Sequence, residues 1–182
     1  MKVIKTKLKD CVIIEPKIFG DERGFFLETY HKCKYEKIIG IANDFVQDNY
    51  SRSSKGVLRG LHFQKNNPQG KLVSVNRGCV FDVAVDIRPE SETFGMWEGV
   101  ILSEENKRQF WLPPGFAHGF CVLSETADFQ YKCTARYDPA DEGGILWNDS
   151  ELRIDWPEKS PKLSDKDSTL PSFEHLKKEL GL

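Results

Sequence analysis

Short apolar runs broken by turn residues constrain this chain more than any other feature. CVIIEP, GFFLETY, DFVQDNYS, VLRGLHFQ, KLVSVNRG, CVFDVAVDIR, MWEGVILS, RQFWLPP, HGFCVLSE and ADFQYKCTA are each of strand length. They are rich in Val, Ile, Phe and Trp, and most alternate apolar with polar residues. Turn signals separate them: Asp21 to Gly24, Asn66 to Gly70, Arg77-Gly78, Glu104 to Asn106 and Pro113 to Gly115. In CVFDVAVDIR, Phe81, Val83, Val85 and Ile87 share one face, and Asp82, Asp86 and Arg88 the other. Two segments read as helices. HKCKYEKII stops at Gly40, and SFEHLKKEL runs from an N-cap at Ser172 towards Gly181 with Phe173, Leu176 and Leu180 as its apolar stripe. Residues 148–171 are polar and punctuated by Pro157, Pro161 and Pro171. Many short strands with few helices predict a mainly β fold, a sandwich or jelly roll.

The 182 residues are enough for one domain with a sizeable core. The net charge is −2 with both signs interspersed, so no basic patch for nucleic acid and no acidic tail stands out. No apolar run is long enough for a membrane span. The N-terminal stretch MKVIKTKLKDCVIIEP has lysines without a signal-type apolar core, which argues against export. Cys11, Cys33, Cys79, Cys121 and Cys133 are odd in number and lack CxxC spacing, as expected of free thiols in a reducing cytoplasm. At that address the sequons at Asn49 and Asn148 carry no meaning.

VLRGLHFQ places a guanidinium and an imidazole in an apolar strand. A buried guanidinium is costly unless it meets an anion, and a buried imidazole needs a partner or a task. Strict alternation sends Arg59 and His62 to opposite faces. Gly60 between them marks a place for a bulge, which would turn both heads into one cavity. The plainer reading is a core histidine beside an edge arginine.

PPGFAHGF is a tight turn that delivers His118 to the start of a strand. With the Gly56 to His62 spacing, it resembles the two halves of a cupin. Metal-binding cupins need a second histidine where Gln64 stands, and the usual motif has Asn where Val122 stands. The ligand set for a metal is therefore incomplete. His31 and His175 fall on the expected helices as surface residues. No GxGxxG or P-loop is present, so any chemistry falls to side chains. His62, His118, Tyr131, Lys71 and several carboxylates suit acid–base work. Tyr131 shares a strand face with Phe129 and Cys133 and points inward; Lys71 reads either as a site residue or as a solvated strand end.

RGLHFQ, QGKLVSV, PPGFAHGF, YKCTARYDPADEGGILWND and LSDKD, in this order and spacing, resemble the dTDP-4-dehydrorhamnose 3,5-epimerases from about Phe19 to Asp167. The resemblance implies a cupin-like double-stranded β-helix (jelly roll) with short peripheral helices, one domain over residues 1–182. It implies a cytoplasmic homodimer with an N-terminal arm of about 1–50 and a C-terminal loop and helix of about 148–182. It implies inversion of C3 and C5 of dTDP-4-dehydro-6-deoxy-D-glucose, without metal or organic cofactor, on the way to dTDP-L-rhamnose for surface polysaccharides.

By the family pattern His62 is the general base, paired with Asp167, for which Asp165 is the rival two residues earlier. Tyr131 corresponds to the general acid, and Lys71 to the residue beside the C4 oxygen. Arg59 corresponds to a diphosphate ligand. His118, Lys166, Gln47, Asn49 and Glu142 match substrate-binding positions, and Tyr137 a tyrosine beside the sugar. Arg23 and Glu28 match residues that reach the neighbouring subunit's site, with Phe19 and Phe26 as candidates for packing on thymine. Residues 19–30 are thus expected at the subunit interface. The rival readings are an epimerase of C3 or C5 alone, one acting on another nucleotide's sugar, an idle sugar-binding cupin, and a metal-dependent cupin oxygenase. The full set His62, Asp167, Tyr131 and Lys71 argues against the idle cupin, and Gln64 against the oxygenase.

Overall fold

The computed structural model describes residues 1–40 and 44–182, so residues 41–43 of the expected arm lie outside the described residues. Two antiparallel sheets face each other as a jelly roll. One contains β1 (Lys2–Lys5), β2 (Val12–Glu15), β10 (Gln109–Leu112), β7 (Lys71–Arg77), β12 (Thr126–Cys133) and β5 (Gln47–Ser54), in that order. The other runs β13 (Glu142–Gly144), β6 (Leu58–Gln64), β11 (Phe116–Val122), β8 (Cys79–Asp86) and β9 (Trp97–Ser103). A separate hairpin joins β3 (Ile18–Asp21) to β4 (Gly24–Leu27).

Three apolar layers follow from the alternation. Between the sheets lie Val73 and Val75 of β7, Val80 and Ala84 of β8, Phe110 of β10, Phe116 and Phe120 of β11, and Phe129 of β12. The outer face of the five-stranded sheet, with Leu61, Val83 and Val85, is covered by Ile145, Leu152, Trp156, Phe173 and Leu176 from the C-terminal segment. The outer face of the six-stranded sheet, with Ile14, Leu72 and Trp111, is covered by Tyr35. Both faces of β8 are therefore buried. Its alternation is kept, but the face carrying Asp82 and Asp86 is interior, and each aspartate is fully buried.

Tyr35 belongs to α1 (Lys32–Ile39), which stops at Gly40 with φ 74° in the left-handed region. α3 (Phe173–Glu179) begins where expected, with the Ser172 hydroxyl accepting from the His175 amide. Of its stripe, Phe173 and Leu176 are buried, whereas Leu180 sits at the C-terminal end and is exposed. His31, expected on a helix, is the exposed residue just before α1. A third helix departs from the two expected: α2 (Asp165–Ser168), a single turn too short to show periodicity. β1, β3 and β13 also lie outside the apolar runs. Each has only three or four residues, and pairing within a sheet or hairpin fixes them rather than local pattern.

The cysteines are free. Among the described residues no helix is long and apolar enough to cross a membrane.

Candidate active site

β6 is irregular where the sequence placed its glycine. The β6–β11 register pairs His118 with His62, then shifts before Phe120 meets Arg59. Gly60 has φ 120°, and a Cβ there would lie 2.6 Å from both the Gly119 Cα and the His118 carbonyl oxygen. Only glycine fits that backbone and that approach. The result is that Arg59 and His62 line one cavity of about 300 Å³, which strict alternation would forbid. Lys71, His118, Tyr131, Phe120, Phe129, Ser51, Ser164, Lys166 and Asp167 complete its wall. One half of the expected picture fails: the Arg59 side chain is exposed, with Nε donating to Ser53 Oγ at 3.1 Å and no carboxylate partner among the described residues.

His62 Nε2 lies 2.6 Å from Asp167 Oδ1. α2 makes this contact possible. The Ser164 hydroxyl accepts from the Asp167 amide, capping the turn and aiming a buried carboxylate at β6. Asp165 is exposed on the same turn and does not compete. Burial alone would push the Asp167 carboxyl up, but the His62 hydrogen bond, the Ser164 hydroxyl and Lys166 hold it below its usual value. An ionised carboxylate accepting Nε2–H fixes the imidazole tautomer and leaves Nδ1 as the basic nitrogen.

Tyr131 and Lys71 come from the facing sheet. Burial pushes the Tyr131 phenol up, so it keeps its proton well into alkaline solution. Lys71 is 8% exposed, which removes the reading as a solvated strand end. Burial drives its ammonium down, opposed by Cys133, Asp82 and Glu142. A base with a fixed tautomer, a protonated phenol and an amine thus meet from two sheets around one space. That arrangement suits proton removal and return on opposite faces of a bound ligand.

The remaining expected residues fall into three groups. Tyr137 donates its hydroxyl to Glu142 at 2.7 Å, and Lys166 pairs with the same oxygen. These three line a second cavity of about 380 Å³ beside the first, and Lys166 is common to both. The bond to Glu142 pushes the Tyr137 phenol up to about 12. Gln47 and Asn49 do not line the cavity in this chain. They share a face of β5 with Ser51, which does, and Asn49 sits opposite Tyr131 in the ladder. Gln47 accepts from the Tyr137 amide at 2.8 Å. Arg23, Glu28, Phe19 and Phe26 are not brought to the cavity of their own chain. Arg23 pairs with Asp21, Glu28 with Lys34, and Phe19 and Phe26 lie on the exposed hairpin.

Sequence reasoning missed Asp82, whose two oxygens lie 3.1 and 3.0 Å from His118 Nε2. The signal was an aspartate between Val80 and Ala84 on one face of a strand whose other face is wholly apolar. Gln64, where a metal-binding cupin has a histidine, donates to the Asn67 and Arg136 carbonyls and accepts from the Asp138 amide. Among the described residues no group of three His, Cys, Asp or Glu is placed to hold a metal ion.

A family model described as dTDP-4-dehydrorhamnose 3,5-epimerase matches residues 5–175, which contain every candidate site residue. The chain belongs to the dTDP-4-dehydrorhamnose 3,5-epimerase family. It is 60% identical over 173 residues to the dTDP-4-dehydrorhamnose 3,5-epimerase of Salmonella typhimurium, with 94% of each chain covered. Its fold matches the crystal structure of the 3,5-epimerase from Legionella pneumophila in complex with dTDP-4-keto-L-rhamnose. There the TM-score is 0.95 and the identity 58%, with 98% of this chain and 96% of that one covered. The epimerase from Elizabethkingia anophelis gives a TM-score of 0.92 at 57% identity, over 96% and 97% of the two chains. Membership of this epimerase family makes the chain an isomerase and identifies its jelly roll as the cupin-like type.

Proposed function

We propose that this protein converts dTDP-4-dehydro-6-deoxy-D-glucose to dTDP-4-dehydro-L-rhamnose by inverting C5 and C3, within dTDP-L-rhamnose biosynthesis. The observation that carries the reading is the Asp167-oriented His62 and the protonated Tyr131 lining one cavity from facing sheets. Each hydrogen to be removed is next to the C4 ketone. His62 Nδ1 takes the proton, and the electron pair moves to the C4 oxygen as an enolate. Lys71 sits beside that oxygen, where an ammonium in a desolvated wall stabilises the developing charge. At C5 Tyr131 returns a proton from the other face and the ketone reforms; solvent then takes the proton from His62 and restores the phenol, so the base is free again for C3. The reaction is proton transfer alone, so these side chains suffice for it.

Arg59 and Lys166, the cations facing the cavity with least burial, take the diphosphate. His118 faces the sugar, with Gln47, Asn49, Glu142 and Tyr137 around the mouth. Lys166 must exchange Glu142 for phosphate as substrate enters. The chain acts as a homodimer. Phe25 and Phe26 are 57% and 68% exposed on the hairpin, with Ile18 and Phe19 beside them, and such a patch marks a surface that another protein covers. From it Arg23, Glu28, Phe19 and Phe26 complete the neighbour's site, the aromatic rings against thymine.

The test is the wild-type protein with dTDP-4-dehydro-6-deoxy-D-glucose in heavy water, followed by NMR at C3 and C5. Deuterium with inversion at both carbons is expected. Exchange and inversion at one carbon alone would make this a single-site epimerase, and no exchange at either would overturn the function.

A further inference from the structure

Two histidine–aspartate pairs face each other in this barrel, and the family pattern as read from the sequence uses only one. His118 and His62 are directly opposed in the ladder between β11 and β6. His118 is held on two sides and open on a third. Its ring stacks on Phe129 at 6.0 Å and 23°, Asp82 takes its Nε2, and the cavity lies beside it. No fully buried side-chain nitrogen or oxygen among the described residues lacks a hydrogen-bond partner. His118 Nδ1 and Lys71 Nζ have no partner among those residues, so both reach open space, and the open space beside them is the cavity. Asp82 is 0% exposed and has no donor but His118 among the described residues. A carboxylate so deep needs a positive charge in reach.

We propose that Asp82 is the positioning residue of the barrel interior: it holds His118 with Nε2 protonated and Nδ1 open to the cavity as an acceptor, and it is the counter-charge that keeps Lys71 an ammonium. Burial favours the neutral imidazole, with Asp82 opposing and Lys71 and His62 reinforcing. A neutral His118 bound in this way accepts a hydrogen bond from a hydroxyl of the sugar and does not add charge against a phosphate. Facing Lys71 are Asp82 from β8, Cys133 from β12 and Glu142 from β13. Burial pushes the Cys133 thiol up, so it stays uncharged. Glu142 is held by Lys166 and Tyr137. Asp82 is then the carboxylate left to offset the Lys71 charge. The Lys71 half of the proposal rests on the epimerase reading; the His118 half does not.

Histidine-selective ¹⁵N NMR of the wild-type protein, with signals assigned by His118→Asn, should find His118 protonated at Nε2 and unprotonated at Nδ1 near neutral pH. A His118 protonated at Nδ1 overturns the proposal. This spectrum decides without any substrate, so a protein that leaves the dTDP sugar unchanged would overturn the function and not this result. Asp82→Asn keeps the shape and removes the charge. In a folded Asp82→Asn, kcat/KM should fall by ~10–100-fold, by analogy with the loss when the partner orienting a metal-ligating histidine is removed. The alkaline limb of its pH profile should move to lower pH, because Lys71 loses its proton more easily. Asp82→Glu should restore the limb. An unmoved limb in Asp82→Asn overturns the counter-charge role; should that variant not fold, the wild-type spectrum still decides the His118 half, and lysine-selective ¹⁵N NMR of the wild type that finds Lys71 a neutral amine near neutral pH overturns the Lys71 half.

Discussion

At the residue scale, the histidine and the aspartate of the proposed base act as one unit. Asp167 is buried, capped by Ser164 and bonded to His62, so Asp167→Asn should leave the fold intact and cut kcat by up to ~10⁴. Circular dichroism and steady-state rates check this. An Asp167→Asn enzyme with near wild-type turnover would show that His62 needs no carboxylate. The pH profile separates the other two groups. Burial lowers Lys71 and raises Tyr131, so on rising pH it is Lys71 that loses its proton first. The alkaline limb of kcat/KM should fall below the ~10.4 of a free lysine. Tyr131→Phe should leave the residual exchange activity with the same limb; a limb that disappears with the phenol would assign it to Tyr131.

At the element scale, two turns of chain decide where side chains point. Gly60 lets β6 cross β11 at backbone contact, and this shift puts Arg59 on the same cavity as His62. Gly60→Ala meets both a positive φ and main-chain atoms, so it should destabilise by at least ~1–3 kcal/mol and lose activity beyond what the lost stability explains. Chemical denaturation and rates on the remaining folded protein measure the two separately. At the end of β8, Asp86 accepts from Arg88, Ser91 and Thr93 and pins the connection to β9. Burial alone would raise its carboxyl, but these bonds hold it below the ordinary value. Its stabilisation is therefore complete above the unfolded value of ~3.9 and is lost as pH falls through the lower folded one. Asp86→Asn should cost ~1–3 kcal/mol at pH 7, and the gap to wild type should close in strong acid. The strands were legible because alternation and turn residues are local signals. α2 and β13 were not: a helical turn of four residues and a strand of three are set by Ser164 and by pairing with β6.

At the scale of the whole molecule, the jelly roll and the principal site were legible, and the depth of individual groups was not. His62, Tyr131 and Lys71 stood out as polar heads in apolar strands. Motif order tied them to one family, and the structure gathers them around one cavity. Arg59 read as buried because its neighbours are; the chain instead leaves it exposed at the cavity wall. Asp82 read as one face of an alternating strand, and only the second sheet makes that face interior. Only the family resemblance, and no local pattern, points Phe19 and Phe26 at a neighbouring subunit; with Phe25 they lie exposed on the β3–β4 hairpin. A Phe19→Asp/Phe26→Asp protein should run as a monomer in sedimentation and lose most of its activity, whereas the wild type should run as a dimer; a fully active monomer would remove the shared site.

The claim at the centre of all this is that one side chain removes the proton and another returns it from the opposite face. Tyr131→Phe in heavy water addresses it directly, because only the phenol oxygen and its proton are lost. His62 can still form the enolate and Lys71 can still stabilise it, so NMR should find deuterium entering at C5 with the original configuration largely retained. Turnover to the L-sugar should fall by ~10²–10⁴, the usual worth of a positioned acid. Inversion at C5 at an unchanged rate would contradict the assignment and pass the role of acid to Tyr137.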